Sequence, residues 1–217
     1  MYSYPSYRTT ANPGTITVSG DHTMYIDPDQ AVVSIGIVTK DEDLQTAQQL
    51  NQQQSSSVMQ SLMANGVLKK DIQTSSYQVN PQYNYDNGKQ VFTGYEVRQI
   101  YRVTIQNLEK VGTILDDALK NGANRIENIQ FVHSNPIEAY QQALASAYQK
   151  AYQKALTLAN QSNQHLNPQP ASITEQSTIG MPSSMNVAYL KAADESTPVQ
   201  PGQIGVTASI TVEFKTQ

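Results

Sequence analysis

Hydrophobic and polar residues alternate along several stretches of this 217-residue chain, which is the pattern of half-buried β-strands. Near the start, Ile16 and Val18 alternate with hydroxyl residues, and near the end the alternation runs without interruption over 205–215. The predicted strands begin at Thr15 and cover residues 31–39, 72–83, 91–106, 125–133, 171–177 and 205–215. The sequence Asp86-Asn87-Gly88 predicts a tight hairpin turn between the strands at 72–83 and 91–106.

Apolar residues spaced three and four apart predict three helices. The first is capped by Asp41 or Asp43, carries Ala47, Asn51, Val58 and Leu62 on one face, and runs to about Asn65. Asn65-Gly66 favours a left-handed stop there. A short helix is predicted over 108–120, and a long helix follows Pro136.

The long helix has alanine at every fourth position from 139 to 159, with tyrosine or leucine at most of the positions that follow. A repeat of four exceeds 3.6 residues per turn, so the stripe drifts by about 40° at each step. We therefore do not expect the alanines and tyrosines all to face one partner. The simplest interpretation is a helix that lies on a sheet, with small residues permitting close approach. The alternative is that Tyr140, Tyr148 and Tyr152 lie in a subunit interface, where tyrosine is favoured.

The order of these elements predicts an α+β fold in which long helices pack on antiparallel sheets. Residues 31–106 and 124–215 each run strand, helix, strand, strand, and the short helix joins these two related halves. Residues 1–13, rich in Tyr, Ser and Pro, are predicted to be a flexible arm, and 14–217 the folded domain. Residues 180–203 lack periodicity, which indicates a mobile or functional loop.

An acidic stretch between the first two strands raises the question of a chemical site. It contains Asp21, His22, Asp27 and Asp29, and these residue types bind metals or move protons. Asp27-Pro28-Asp29 is also turn chemistry, and we interpret it as the corner of a hairpin. A metal site at Asp27 and Asp29 remains the alternative.

Elsewhere the sequence carries little that indicates catalysis. There is no cysteine, the three histidines are far apart, and no zinc, phosphate-binding or nucleophile-elbow motif occurs. We therefore expect neither catalytic residues nor a cofactor. Tyr83 and Tyr85 beside the predicted hairpin turn fit glycan or protein binding, but hairpin packing explains them equally well.

The charge balance argues against nucleic acid as a partner. The formal net charge is −4, and only 15% of the residues are charged, so no basic patch is formed. No apolar run approaches the length of a membrane span, which is about 18 residues. The N-terminal residues have neither the basic nor the apolar region of a signal peptide, so the sequence leaves the location unknown and a cytoplasmic location open.

Five stretches, taken together and in order, resemble the SIMPL domain family, formerly a domain of unknown function. They are ITVSG, DPDQAVVSIGI, LMANGVLKKDIQTSSYQVNPQYNYDNG, TGYEVRQIYRVTIQNLEKVGTILDDALKNGANRIENIQF and VTASITVEF. The family includes bacterial periplasmic immunogenic and oxidative-stress-defence proteins. The resemblance covers about residues 14 to 215.

The resemblance implies an α+β fold of two related halves, a secreted or periplasmic location, and assembly into oligomers. It supplies no catalytic residues. The N-terminal residues and the Tyr- and Gln-rich long helix depart from the family pattern. We expect a non-enzymatic, self-associating structural or interaction protein, linked to stress defence or the cell envelope. The alternative is a ligand-binding protein, metal-binding protein or enzyme with its site in 180–203 or at Asp27 and Asp29.

Overall fold

The structure, a computed structural model, describes residues 14–176 and 201–217. Its strands are β1 (Gly14–Ile26), β2 (Gln30–Asp41), β3 (Ile72–Asp86), β4 (Lys89–Ile105), β5 (Arg125–Val132), β6 (Leu166–Glu175) and β7 (Ile204–Thr216). Its helices are α1 (Leu44–Ala64), α2 (Val111–Lys120) and α3 (Ile137–Gln161). The strands form two antiparallel sheets, so the predicted α+β class is confirmed.

The chain divides into two compact units. Among the described residues, the first, which we call the four-stranded unit, contains 27–134 and 201–204. The second, the three-stranded unit, contains 14–26, 135–176 and 205–217. Each unit is therefore assembled from separate stretches of the chain.

In the four-stranded unit the strand order is β3-β4-β2-β5, and α1 and α2 pack on the sheet. Val33, Ile35 and Ile37 of β2 are fully buried, as their alternation predicts. They pack in one core with Val58 and Leu62 of α1. The apolar face predicted for α1 is thus the face that covers the sheet.

Both ends of α1 match their sequence signals. The Asp43 side chain caps the N-terminus by accepting a hydrogen bond of 2.8 Å from the Thr46 backbone N–H. This hydrogen bond and a second one from the Thr46 hydroxyl hold the pKa of Asp43 below its ordinary value. At the other end, Gly66 has a φ of 90°, the left-handed conformation that glycine adopts without strain.

The β3–β4 hairpin turns at the predicted place and is longer than predicted. Asn87 and Gly88 have positive φ angles of 47° and 78°, as a tight two-residue hairpin turn requires. The strand pairing continues to Asp86 opposite Lys89. The turn residues therefore do no more than reverse the chain, and both strands run up to them.

In the three-stranded unit the strand order is β1-β7-β6, and α3 lies mainly against β1. Val18 of β1 and Ile210, Val212 and Phe214 of β7 form the core together with alanines of α3. The alternation predicted for 205–215 is present as alternating burial along β7.

The alanine stripe of α3 is buried along its whole length. All six alanines from Ala139 to Ala159 are buried, so the expected drift brings none of them to the surface. Residues spaced by four form a row inclined by about 26° to the helix axis, and strands twist, so a twisted sheet can follow such a row. The bulkier tyrosines and leucines beside the alanines are half-buried and help to cover them.

Close approach between α3 and β1 is visible at Gly20. A Cβ atom built on Gly20 would lie 2.1 Å from the backbone oxygen of Ala147 and 2.9 Å from the Cβ of Ala151. Lys154 donates a hydrogen bond of 2.8 Å to the backbone oxygen of Ser19 beside it. This geometry matches the interpretation of α3 as a helix that lies on a sheet and that small residues allow to approach closely.

The predicted hairpin at Asp27-Pro28-Asp29 is wrong. β1 pairs in the three-stranded sheet and β2 in the four-stranded sheet, so residues 27–29 connect two sheets instead of two partners. Alternation identifies a half-buried strand but does not name its neighbour, and turn residues serve either kind of connection equally well.

Candidate functional site

Asp29 holds the chain at the end of β5. Its carboxylate accepts a hydrogen bond of 2.7 Å from the Ser134 backbone N–H and another from the Ser134 hydroxyl. Its own backbone N–H donates to the Val132 oxygen at 3.1 Å. Burial acts to raise the pKa of Asp29, but the bonds from Ser134 and the charge of His133 outweigh it, so the pKa is lowered. The carboxylate therefore joins the two ends of the segment 27–134.

Asp27 makes a second contact of this kind within the four-stranded unit. Its carboxylate accepts a hydrogen bond of 3.2 Å from the Gln203 side-chain amide. Asp21 and His22 belong to β1 in the other unit. Among residues 14–176 and 201–217, no group of three or more His, Asp or Glu side chains is placed to hold a metal ion. In this geometry the carboxylates of Asp27 and Asp29 hold neighbouring segments of the chain together by hydrogen bonds.

The three tyrosines suggested as interface residues have different surroundings in the three-stranded unit. Tyr148 and Tyr152 are half-buried against its core, and the Tyr152 ring meets Phe214 edge-on with centroids 5.8 Å apart. Tyr140 donates a hydrogen bond to the Glu175 carboxylate, and this bond raises the pKa of Tyr140. The suggested interface role of the three stays a prediction.

Three exposed aromatic side chains lie together on the outer half of the β3–β4 hairpin. Tyr83, Tyr85 and Phe92 are 47%, 78% and 45% exposed. Tyr83 lies opposite Phe92 in the strand register, and Tyr85, two residues on, shares its face. We call these three residues the hairpin surface. Such clusters of exposed apolar side chains mark interaction sites.

Edge-to-face ring contacts hold Tyr83 and Phe92 of the hairpin surface in place. The Phe92 ring lies 5.7 Å from that of Tyr83 and 5.2 Å from that of Tyr95, with interplanar angles of 70° and 69°. Such pairs stabilise each other by about 0.5–1.5 kcal/mol beyond the burial of their area. The sequence indicated Tyr83 and Tyr85 but not Phe92, which becomes their neighbour through the strand register.

β3 also carries unused hydrogen-bonding capacity. It lies at the edge of its sheet, and within the described part of the chain it pairs with β4 alone. An edge strand offers a row of backbone N–H and C=O groups to another chain.

The predicted loop at 180–203 lies outside the described residues apart from its last three. No described helix is both long enough and apolar enough to cross a membrane.

Comparison with known proteins identifies relatives over nearly the whole chain. The family described as SIMPL, protein of unknown function (DUF541), matches residues 16–214. The 26 kDa periplasmic immunogenic protein of Brucella melitensis is 26% identical over 99% of this chain and 91% of that protein. The uncharacterized protein YggE of Escherichia coli K12 is 29% identical over 70% of this chain and 62% of that protein.

Proposed function

Since the chain belongs to the SIMPL family, whose function is unknown, we propose that it is a non-enzymatic protein that self-associates through the hairpin surface. The observation that carries this proposal is the exposure of Tyr83, Tyr85 and Phe92 on one face beside a strand edge. Aromatic side chains are enriched in protein interfaces, where they bury large areas and lose little rotamer freedom.

The charges near the hairpin surface suit a second copy of the same chain. Between residues 77 and 92 the charged residues are Asp86 and Lys89, which lie opposite each other across the turn. This segment is therefore neutral, although the whole chain carries a net charge of −4. In a two-fold symmetric contact the same patch meets itself, so Asp86 of one copy can approach Lys89 of the other. Pairing of two hairpins in this arrangement brings opposite charges together.

An envelope location and a role in stress defence complete the proposal. The location rests on similarity to the Brucella melitensis protein, whose name describes it as periplasmic, and the role in stress defence rests on the family resemblance. Fractionation of the native host by osmotic shock tests the location, since a periplasmic protein is released and a cytoplasmic one is retained. Recovery of the chain in the cytoplasmic fraction would contradict the envelope location.

Light scattering after size exclusion, at about 1 to 100 µM protein, tests self-association. We expect the wild type to form a particle of several protomers. We expect the triple variant Tyr83→Ser, Tyr85→Ser, Phe92→Ser to dissociate at concentrations at least about tenfold higher than the wild type does. A wild-type chain that stays monomeric throughout contradicts self-association.

The matched control is Tyr25→Ser, which removes an aromatic ring that is 65% exposed in the other unit. It should leave the particle mass unchanged. Tyr140→Ala tests the suggested helix interface separately. A triple hairpin variant with the wild-type mass, together with a monomeric Tyr140→Ala variant, would move the interface to α3.

A further inference from the structure

A cleft of about 450 Å³ opens in the four-stranded unit between α1 and the helix-facing side of β3 and β4. Its lining consists of four side-chain amides, two serine hydroxyls and two tyrosines, and no charged side chain contributes to it. Most ligand pockets are lined mainly by apolar residues, with a few polar groups for orientation. This cleft reverses that balance and offers hydrogen-bonding groups almost throughout.

The floor of the cleft is a buried hydrogen-bond network. The Asn51 amide nitrogen donates to the backbone oxygens of Ile37 and Val97 at 3.1 and 3.2 Å. The Ser55 hydroxyl donates to the Gln99 side-chain oxygen at 3.0 Å. Asn51 and Ser55 are 1% and 4% exposed. Because each group is held by another or by the backbone, the floor is fixed before any ligand arrives.

The network ends at the Tyr101 hydroxyl on the wall of the cleft. The Gln99 side-chain amide donates to the Tyr101 hydroxyl oxygen at 2.8 Å. Tyr101 is 3% exposed, and burial raises the pKa of Tyr101, although a hydrogen bond with the Ser55 side chain acts to lower it. Tyr101 is therefore fixed among the polar groups that line the cleft.

The rim of the cleft adds an aromatic ring and further amides. Tyr77 on β3 is 51% exposed and lines the cleft opposite Gln52 of α1. An aromatic face carries partial negative charge and attracts the weakly positive C–H groups of a sugar ring. Amides and hydroxyls both donate and accept, as sugar hydroxyls do. Phosphates and metal ions require charged partners, which the lining lacks.

We propose that this cleft binds a neutral carbohydrate, with a sugar face on Tyr77 and sugar hydroxyls bonded to Gln52 and Gln99. The site is separate from the hairpin surface, since neither Tyr83, Tyr85 nor Phe92 lines it. The proposal is thus independent of self-association, and either can fail without the other.

Isothermal titration calorimetry of the full chain with maltohexaose, cellohexaose and chitohexaose tests the proposal. We expect saturable binding of at least one of the three. Tyr77→Ala and Gln52→Ala should each weaken that binding by about threefold to tenfold, which corresponds to one stacking contact or one hydrogen bond. A sulfated oligosaccharide of the same length should bind no more tightly, since the cleft offers it no cation.

The control for Gln52→Ala is Gln53→Ala, an exposed residue of the same helix that does not line the cleft. The control for Tyr77→Ala is Tyr25→Ala in the other unit. Absence of saturable binding by all three sugars overturns the proposal. Binding that both cleft variants leave unchanged also overturns it, because the sugar would then bind elsewhere. Tighter binding of a neutral Gln- and Asn-rich peptide than of every sugar overturns it as well.

Discussion

Replacement of Gly20 by alanine tests the close packing of β1 on α3. The added Cβ would lie 2.1 Å from the Ala147 backbone oxygen, whereas unstrained contacts of this kind are about 3.5 Å long. The neighbour is backbone and cannot swing away as a flexible side chain can. The strand and the helix must therefore separate by about 1 Å, which forfeits up to about half of the local dispersion energy.

We expect Gly20→Ala to lower the free energy of unfolding by about 2–3 kcal/mol, in the range of overpacked cores. For a chain of this length that corresponds to a decrease of about 4–12 °C in the unfolding temperature. Urea unfolding followed by circular dichroism at fixed protein concentration measures the change. Hydrogen exchange locates it, because amides of α3 and β1 should lose protection first.

The matched control is Gly202→Ala, because no atom lies within 4 Å of a Cβ built at that exposed position. It should change the stability by no more than about 0.5 kcal/mol, or raise it slightly through the unfolded state. Equal stabilities for the two variants would refute the packing argument.

Three further predictions concern buried and acidic groups. Asn51→Ala should destabilise the chain by about 1–3 kcal/mol in urea unfolding, because it strips two buried backbone oxygens of their donor, whereas the exposed Gln53→Ala should not. Asp29→Ala should lower stability at neutral pH. The pKa of Asp29 is lowered in the native state, so its contribution to stability is present above the ordinary value of 3.8 and is lost as the pH falls further. A difference in stability between the variant and the wild type that persists at about pH 2 contradicts this account. Tyr101→Phe should remove a tyrosine that ionises above the ordinary value of 10.0 in an ultraviolet titration, and loss of one that ionises at or below that value would contradict the burial.

The local turns and caps of the fold are readable from the sequence because each depends on a few neighbouring residues. Asp43 caps α1, Gly66 ends it, and Asn87-Gly88 reverses the β3–β4 hairpin, all at the predicted places. A cap or a positive φ is specified by the side chain at that one position, so no distant residue can overrule it easily.

Strand partners are not readable in this way. The alternation in β1 and β2 predicts two half-buried strands correctly, yet it does not say that they join different sheets. Gly20 carries a signal that the prediction left unused, since a glycine within a strand pattern indicates close approach of another backbone. The burial of every alanine in α3 likewise depends on the twist of the sheet beneath, which no helical repeat contains.

The candidate sites are partly predictable for the same reason. Asn51 was placed on the core-facing side of α1 by its spacing, and it does lie there. Its network with Gln99 and Tyr101 depends on how α1 lies over β4, about fifty residues further along the chain. The sequence indicated Tyr83 and Tyr85 beside the turn, but Phe92 joins them only through the register of the hairpin.

The bond between Asp29 and Ser134 has a consequence for the order in which the protein folds. It closes the segment 27–134 end to end, and this segment contains all the strands and helices of the four-stranded unit. β7 begins at residue 204, about 70 residues after residue 134, so its synthesis starts about 3.5 to 14 s later. During that interval the four-stranded unit can fold, whereas β1 has no partner until β7 is synthesised. A nascent chain stalled after complete emergence of residue 134 should therefore already protect the amides of β2 and β4 and leave those of β1 exposed.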